Sequence, residues 1–189
     1  MPLLDQPLEL TPGAAVLERA RGGDIAAFRE LLRGHQARVF SIALRLTGRR
    51  ADAEELAQDV FLKLHAVLAD IESHAHLRHW LLRTVTHRCI DRLRSQARRP
   101  QLVPLAALAE ADTAAPESAG DPLMGARLRQ LLLQLAPDPR AVVLLRFQED
   151  LDPAEIALLL GMSVNTVKSH LRRSLHWLRA QLPGDGNGS

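Results

Sequence analysis

The chain has 189 residues and a formal net charge of +2, and 47% of it is hydrophobic, with 3% aromatic residues, no Tyr and a single Cys. That length allows one larger or two small domains, and a composition rich in Leu and Ala but poor in aromatics favours helix over sheet. One cysteine, Cys89, excludes an intrachain disulfide, and its place in a helical pattern predicts a buried free thiol.

Residues 1–13 read as a loose tail. Asp5 and Glu9 stand where a secretory signal would carry a basic region and then an apolar core. No apolar run approaches membrane-spanning length, so a cytoplasmic location is expected. A short helix follows over Ala14–Arg21, stopped by Gly22 and Gly23. Asp24 is placed to cap the next helix, whose apolar face carries Ile25, Phe28, Leu31 and Leu32. The pattern resumes after Gly34 and ends at Gly48. Asp52–Leu68 is the clearest helix of this half. Asp52 and Glu55 suggest a capping box, and Leu56, Val60, Phe61 and Leu64 form its buried stripe. Its exposed side carries Glu54, Glu55, Gln58, Asp59 and Lys63. Left to composition alone, those acids are a solvated face beside a positive helix end.

Asp70–Arg78 reads as a polar break containing His74 and His76; a lone pair of histidines falls short of a zinc ligand set, and no metal is expected. A long helix is predicted over Trp80–Arg99, with Trp80, Leu81, Val85, Cys89, Ile90 and Leu93 on its apolar side. Between Arg78 and Arg99 lie seven Arg against one acid, Asp91, a density suited to phosphate contact. Residues 100–121, rich in Ala, Pro and acid, read as a flexible linker. A helix follows from Pro122 to Leu135, and another from Arg140 to about Glu149.

The last segment is Asp150–Leu182. Asp152 and Pro153 open a short helix with Ile156, Leu159 and Leu160 on one face, and Gly161 stops it. Ser163 caps the next helix. Its apolar face is Val164, Val167, Leu171, Leu175 and Leu178, and its polar faces carry Asn165, Thr166, Lys168, Ser169, Arg172 and Arg173. Between Asn165 and Ala180 there is no acidic residue. Helix, Gly-containing turn and cationic helix form the helix-turn-helix pattern; the plainer alternative is an αα-hairpin in a core with a solvated face. The expected architecture is all-α: two helical domains, 14–99 and 122–182, joined by the linker 100–121. No Gly-rich phosphate loop, GxSxG, HExxH or paired cysteines occur, so neither enzymatic activity nor a cofactor is expected.

DAEELAQDVFLKLH (52–65), WLLRTVTHRCIDRLRS (80–95) and LDPAEIALLLGMSVNTVKSHLRRSLHWLR (151–179), in that order, resemble an extracytoplasmic-function sigma factor of the bacterial RNA polymerase sigma family. The resemblance implies a region 2-like domain that docks on core RNA polymerase, at positions Asp52, Glu55, Gln58 and Asp59. It implies −10 recognition and melting by the polar loop and following helix, at Ser73, His74, His76, Trp80, Arg83, His87 and Arg88, with a flipped base held near Ser73–Leu77. It implies −35 recognition by a region 4-like domain through Asn165, Thr166, Lys168, Ser169, Arg172 and Arg173. An anti-sigma factor is the further partner it implies. His87 stands where the family commonly has Asn, His65 where it often has Trp, and Leu77 where Phe precedes the Trp80 helix. The departure at His87 bears on −10 base preference rather than on class. The alternatives are a free-standing helix-turn-helix regulator, which would need a ligand or dimerisation domain in place of the acidic and Arg-rich helices, and a helical adaptor with no DNA role.

Overall fold

The computed structural model describes residues 12–98 and 122–182, so the expectations for residues 1–11 of the tail and for the linker 100–121 lie outside the described residues, while Pro12 and Gly13, expected in the tail, already belong to the first helix. The elements are α1 (Pro12–Arg21), α2 (Ile25–Thr47), α3 (Arg50–Val67), a 3₁₀ turn (Leu68–Asp70), α4 (His74–Arg98), α5 (Pro122–Gln134), α6 (Pro137–Phe147), α7 (Pro153–Leu160) and α8 (Val164–Gln181). Among the described residues there is no strand, in keeping with the all-α expectation.

The first half is built around α2, which packs against α1, α3 and α4. The Asp24 carboxylate caps it, accepting from the Ala26 and Ala27 N–H groups at 2.8 and 3.1 Å. The Ala27 N–H, followed by the Arg19 guanidinium, holds the Asp24 carboxyl below its usual range. α2 runs unbroken through Gly34 and ends at Gly48, whose φ of 74° belongs to the left-handed region that glycine enters without strain. Leu31, Val39, Ile42 and Leu46 are buried along its inner face.

Two local expectations are corrected here. The Asp52–Glu55 capping box does not form: the helix starts at Arg50, with Arg49 as an N-cap that makes no side-chain bond. Asp52 instead sits buried in the first turn, facing Arg92 and Gln96 of α4. The polar stretch before Trp80 is not a loop throughout, because α4 already begins at His74. Its first turn is tied down locally. The Ser73 hydroxyl accepts from the His76 N–H at 3.1 Å, and His76 Nδ1 accepts from the Glu72 N–H at 3.3 Å. Leu77 is fully buried, which is the apolar anchor that pulls this polar segment into the helix.

The second half packs α6 and α7 against α8, with α5 alongside α8. Val142, Leu145, Ile156, Leu159 and Val167 fill its centre. The Asp152 carboxylate accepts from the Ala154 and Glu155 N–H groups, and the Glu155 carboxylate accepts from the Asp152 N–H, a complete capping box. Gly161 closes α7 with φ 66°, and the Ser163 hydroxyl accepts from the Thr166 N–H at 3.0 Å to open α8. The reading of this hairpin from its caps holds throughout.

The two halves are not held apart. α2 and α4 pack against α5, α6 and α7, and the buried apolar side chains of both halves form one continuous cluster. Polar bonds cross the seam as well. Arg38 pairs with Glu149, Gln148 donates to the Ser41 hydroxyl at 3.2 Å, and Arg94 pairs with Asp138 at 2.7 Å. At Gly48 the halves approach so closely that a Cβ would lie 2.7 Å from Leu133.

Candidate functional site

Three surfaces carry the side chains singled out in the sequence. On α3, Glu55 and Gln58 are exposed and Asp59 is half-buried, so an acidic and amide face is open to solvent. Asp52 does not share it. Its carboxylate lies 3.5 Å from Arg92, 3.8 Å from Arg49 and 3.4 Å from the Gln96 amide. Arg92 also pairs with Glu55, and that bond, ahead of all other influences, holds the guanidinium protonated more firmly than usual. Asp52 and Arg92 therefore lock α3 to α4 and set the position of Glu55. A groove between the two helices is lined by Asp59, Arg88, Asp91 and Gln96.

The residues predicted for −10 contact fall on α4 and on Ser73 just before it, but not in one state of exposure. Ser73, His76 and Arg83 are exposed, while His74, Trp80, His87 and Arg88 are half-buried. His74 packs against His35 of α2, with ring centroids 5.3 Å apart. Burial, then the neighbouring His74, Arg38 and Arg78, push the His35 imidazole below its ordinary value, favouring the neutral ring. His87 Nε2 lies 3.0 Å from the Leu159 carbonyl oxygen of α7, and Arg88 Nε is buried without a partner. Cys89 beside them is fully buried, and loss of hydration pushes its thiol up to about 12, so it is chemically quiet.

On α8 the arrangement is simpler. Asn165, Thr166, Lys168, Arg172 and Arg173 are exposed and Ser169 is half-buried. Val167, Ser174 and Leu178 face inward, so the helix presents its polar side as a whole. Exposed arginines can in general pair with a guanine edge and an exposed lysine with a phosphate, the chemistry a major groove presents.

Some residues that matter to these surfaces carry no local sequence signal. Arg92 looked like one more cation of α4, and its role comes from partners on another helix. Arg140 of α6 is buried, and its guanidinium donates to the Leu46, Leu133 and Leu135 carbonyl oxygens. Burial pushes it down to about 10, still charged at neutral pH. Among the described residues no His, Cys, Asp and Glu cluster has the make-up of a metal site, and no helix is long and apolar enough to cross a membrane.

Residues 31–99 match the sigma-70 region 2 family and residues 125–178 the sigma-70 region 4 family. The ECF RNA polymerase sigma factor SigE of Mycolicibacterium smegmatis is 33% identical over 94% of this chain and 70% of its own. The RNA polymerase sigma-E factor of Streptomyces coelicolor is 34% identical over 85% of this chain and 88% of its own. In fold, the chain is similar to CnrH solved with the cytosolic domain of CnrY (TM-score 0.63, 24% identity, 91% of this chain and 97% of that one). It is also similar to RpoE of Bartonella quintana solved with the anti-sigma factor NepR (TM-score 0.66, 20% identity, 85% of this chain and 99% of that one). An acidic helix face, an Arg-rich helix and an exposed cationic recognition helix, in this order and with these relatives, place the chain among the extracytoplasmic-function sigma factors, which direct core RNA polymerase to promoters.

Proposed function

We propose that the chain divides the work of a sigma factor among its three surfaces. The exposed α3 face, Glu55, Gln58 and Asp59, docks on a cationic helix of core polymerase. Opposite charges steer and register such a contact more than they tighten it. Asp52 supports that face from beneath through Arg92. α4 reads and helps melt the −10 element through Ser73, His74, His76, Trp80, Arg83, His87 and Arg88. A base taken out of the stack costs a few kcal/mol, which cationic contacts to the strand offset. α8 reads the −35 element in the major groove through Asn165, Thr166, Lys168, Ser169, Arg172 and Arg173. The chain itself catalyses nothing in this scheme: RNA synthesis belongs to the polymerase. It acts in the cytoplasm, and a partner of the NepR kind, an anti-sigma factor, is its natural inhibitor, as the RpoE complex suggests by analogy.

The observation that carries this reading is α8, a capped helix whose polar, acid-free side faces solvent along its length. In vitro transcription with core polymerase tests it. The wild-type chain should direct initiation from promoters selected out of a randomised library, and failure on every promoter would sink it.

A further inference from the structure

The acidic surface of α3 does not end at α3. Beside it, between α3 and α4, runs a groove of about 320 Å³, lined by Leu56 and Asp59 of α3 and by Arg88, Asp91 and Arg92 of α4. A water takes about 30 Å³ of liquid, so a side chain has room to enter. Asp59 belongs both to the groove and to the face that carries Glu55 and Gln58, so the two surfaces are continuous. Within the groove Arg92 is committed to Asp52 and Glu55. Arg88 differs: its Nε is buried and meets no acceptor among the described residues. A buried N–H of a cation left without an acceptor costs free energy, and an incoming oxygen recovers it.

Arg88 stands on the helix proposed to read the −10 element, so a DNA phosphate is one source of that oxygen. The geometry favours another. Each residue of a helix is turned about 100° from the last, which sets Arg88 about 100° around α4 from His87 and about 140° from Arg83. It faces α3, not the side that carries Arg83. Asp59 and Asp91 line the same groove, and both repel a polyanionic strand. A polymerase helix that brings cations to Glu55 and Asp59, and a carboxylate a turn away, meets no such repulsion. We infer that Arg88 is a polymerase-binding residue, and that the α3–α4 groove admits an Asp or Glu side chain from the same core-polymerase helix that docks on α3. The contact then has mixed polarity, with cations onto α3 and an acid into the groove. Such alternation fixes the register of the two helices and rejects a partner that is only cationic, which Arg88 repels. In the division of work above, Arg88 moves to the polymerase contact, while Arg83 and His87 stay with the −10 element. The inference rests on the docking role proposed for α3.

Binding of the full chain to fluorescently labelled core polymerase, without DNA, tests the groove. Arg88→Met keeps an apolar stem and removes the guanidinium, and Arg88→Glu reverses the charge. Arg88→Met should weaken binding about tenfold, and Arg88→Glu by more. Replacing the acidic residues of the polymerase docking helix by Lys, one at a time, should then restore binding to Arg88→Glu at one position. Urea denaturation of Arg88→Met should match the native chain, because the Arg88 Nε makes no bond within the described residues. Unchanged core binding by both variants would overturn the proposal, and loss of promoter opening alongside it would return Arg88 to the DNA. Weakened binding that no Lys rescues would overturn the single-acid contact. A loss of stability in Arg88→Met would mean that the groove is filled from within the chain, and would overturn the proposal too. Glu55→Ala combined with Asp59→Ala judges the docking reading separately. If that pair loses core binding while both Arg88 variants keep it, α3 docks and the groove takes nothing. If the native chain does not bind core polymerase, the docking reading falls and the groove with it.

Discussion

α4 and α8 are both Arg-bearing helices, both given to DNA in the proposed division of work, and the fold treats them in opposite ways. On α8 Asn165, Lys168, Arg172 and Arg173 extend into solvent, while Val167, Ser174 and Leu178 are buried and Leu171 packs against the core beside them. On α4 the cations and histidines also hold the protein together. Arg92 pairs with Asp52 and Glu55, Arg94 with Asp138, and His87 bonds to α7. Free side chains meet DNA at no internal cost, whereas committed ones must first give up a partner. In the proposed roles, exposure rather than a count of arginines separates side chains that meet DNA at once, Arg83 of α4 among them, from those such as His87 that must first leave a partner.

Substitutions on the two helices should therefore fail differently. The largest loss of stability is expected at Arg92→Ala, which leaves the largely buried Asp52 carboxylate with only the distant Arg49 and the Gln96 amide. Urea denaturation should show a loss of about 2 kcal/mol, between an exposed and a fully buried pair. Arg172→Ala should leave stability within about 0.5 kcal/mol yet weaken −35 DNA binding by holoenzyme by about 1–3 kcal/mol, the worth of a good base contact. Equal stability losses in both variants would erase the contrast between the helices.

Smaller effects sharpen it. Gly48 and Gly161 both sit at positive φ, but a Cβ at Gly161 meets nothing, whereas one at Gly48 meets Leu133 across the seam. Gly161→Ala should cost about 1 kcal/mol for the left-handed backbone alone. Gly48→Ala should cost measurably more by the same urea titration, because Leu133 must also move. The smallest effect concerns pH. His35 is depressed in the folded protein, chiefly by burial, from an ordinary value of 6.5. Above that value both states carry a neutral ring and nothing changes. As pH falls through it, the unfolded chain takes up the proton first, so stability declines with acidification until the folded ring also protonates. His35→Gln should flatten that acid limb of the thermal stability curve; an unchanged limb would assign it to other groups.

What could be read in the sequence was whatever is decided locally. Asp152, Glu155, Gly161 and Ser163 each act within a turn of their own position, and the hairpin they imply is the one that forms. The sigma resemblance likewise rests on contiguous stretches. Asp52 shows where this stops. Its spacing to Glu55 fits a capping box, but Arg92 and Gln96 offer the carboxylate charged and amide partners on the neighbouring helix, and the helix starts two residues earlier. The break before Trp80 failed for a related reason. His74 and His76 look loop-like by composition, while the burial of Leu77 and the Ser73 and His76 bonds make the segment helical. The seam between the halves was beyond local reading altogether, since Arg38 and Glu149 are 111 positions apart and neither has a neighbour in sequence that points to the other.

The most direct test of the central claim is transcription by core polymerase reconstituted with this chain on promoters selected from a random library. Chain-dependent initiation is expected, lost on altering either of two separate elements, with Arg172→Ala affecting only the upstream one and His87→Ala only the downstream one. Initiation that does not depend on the chain, or that requires one element alone, would contradict the two-surface account.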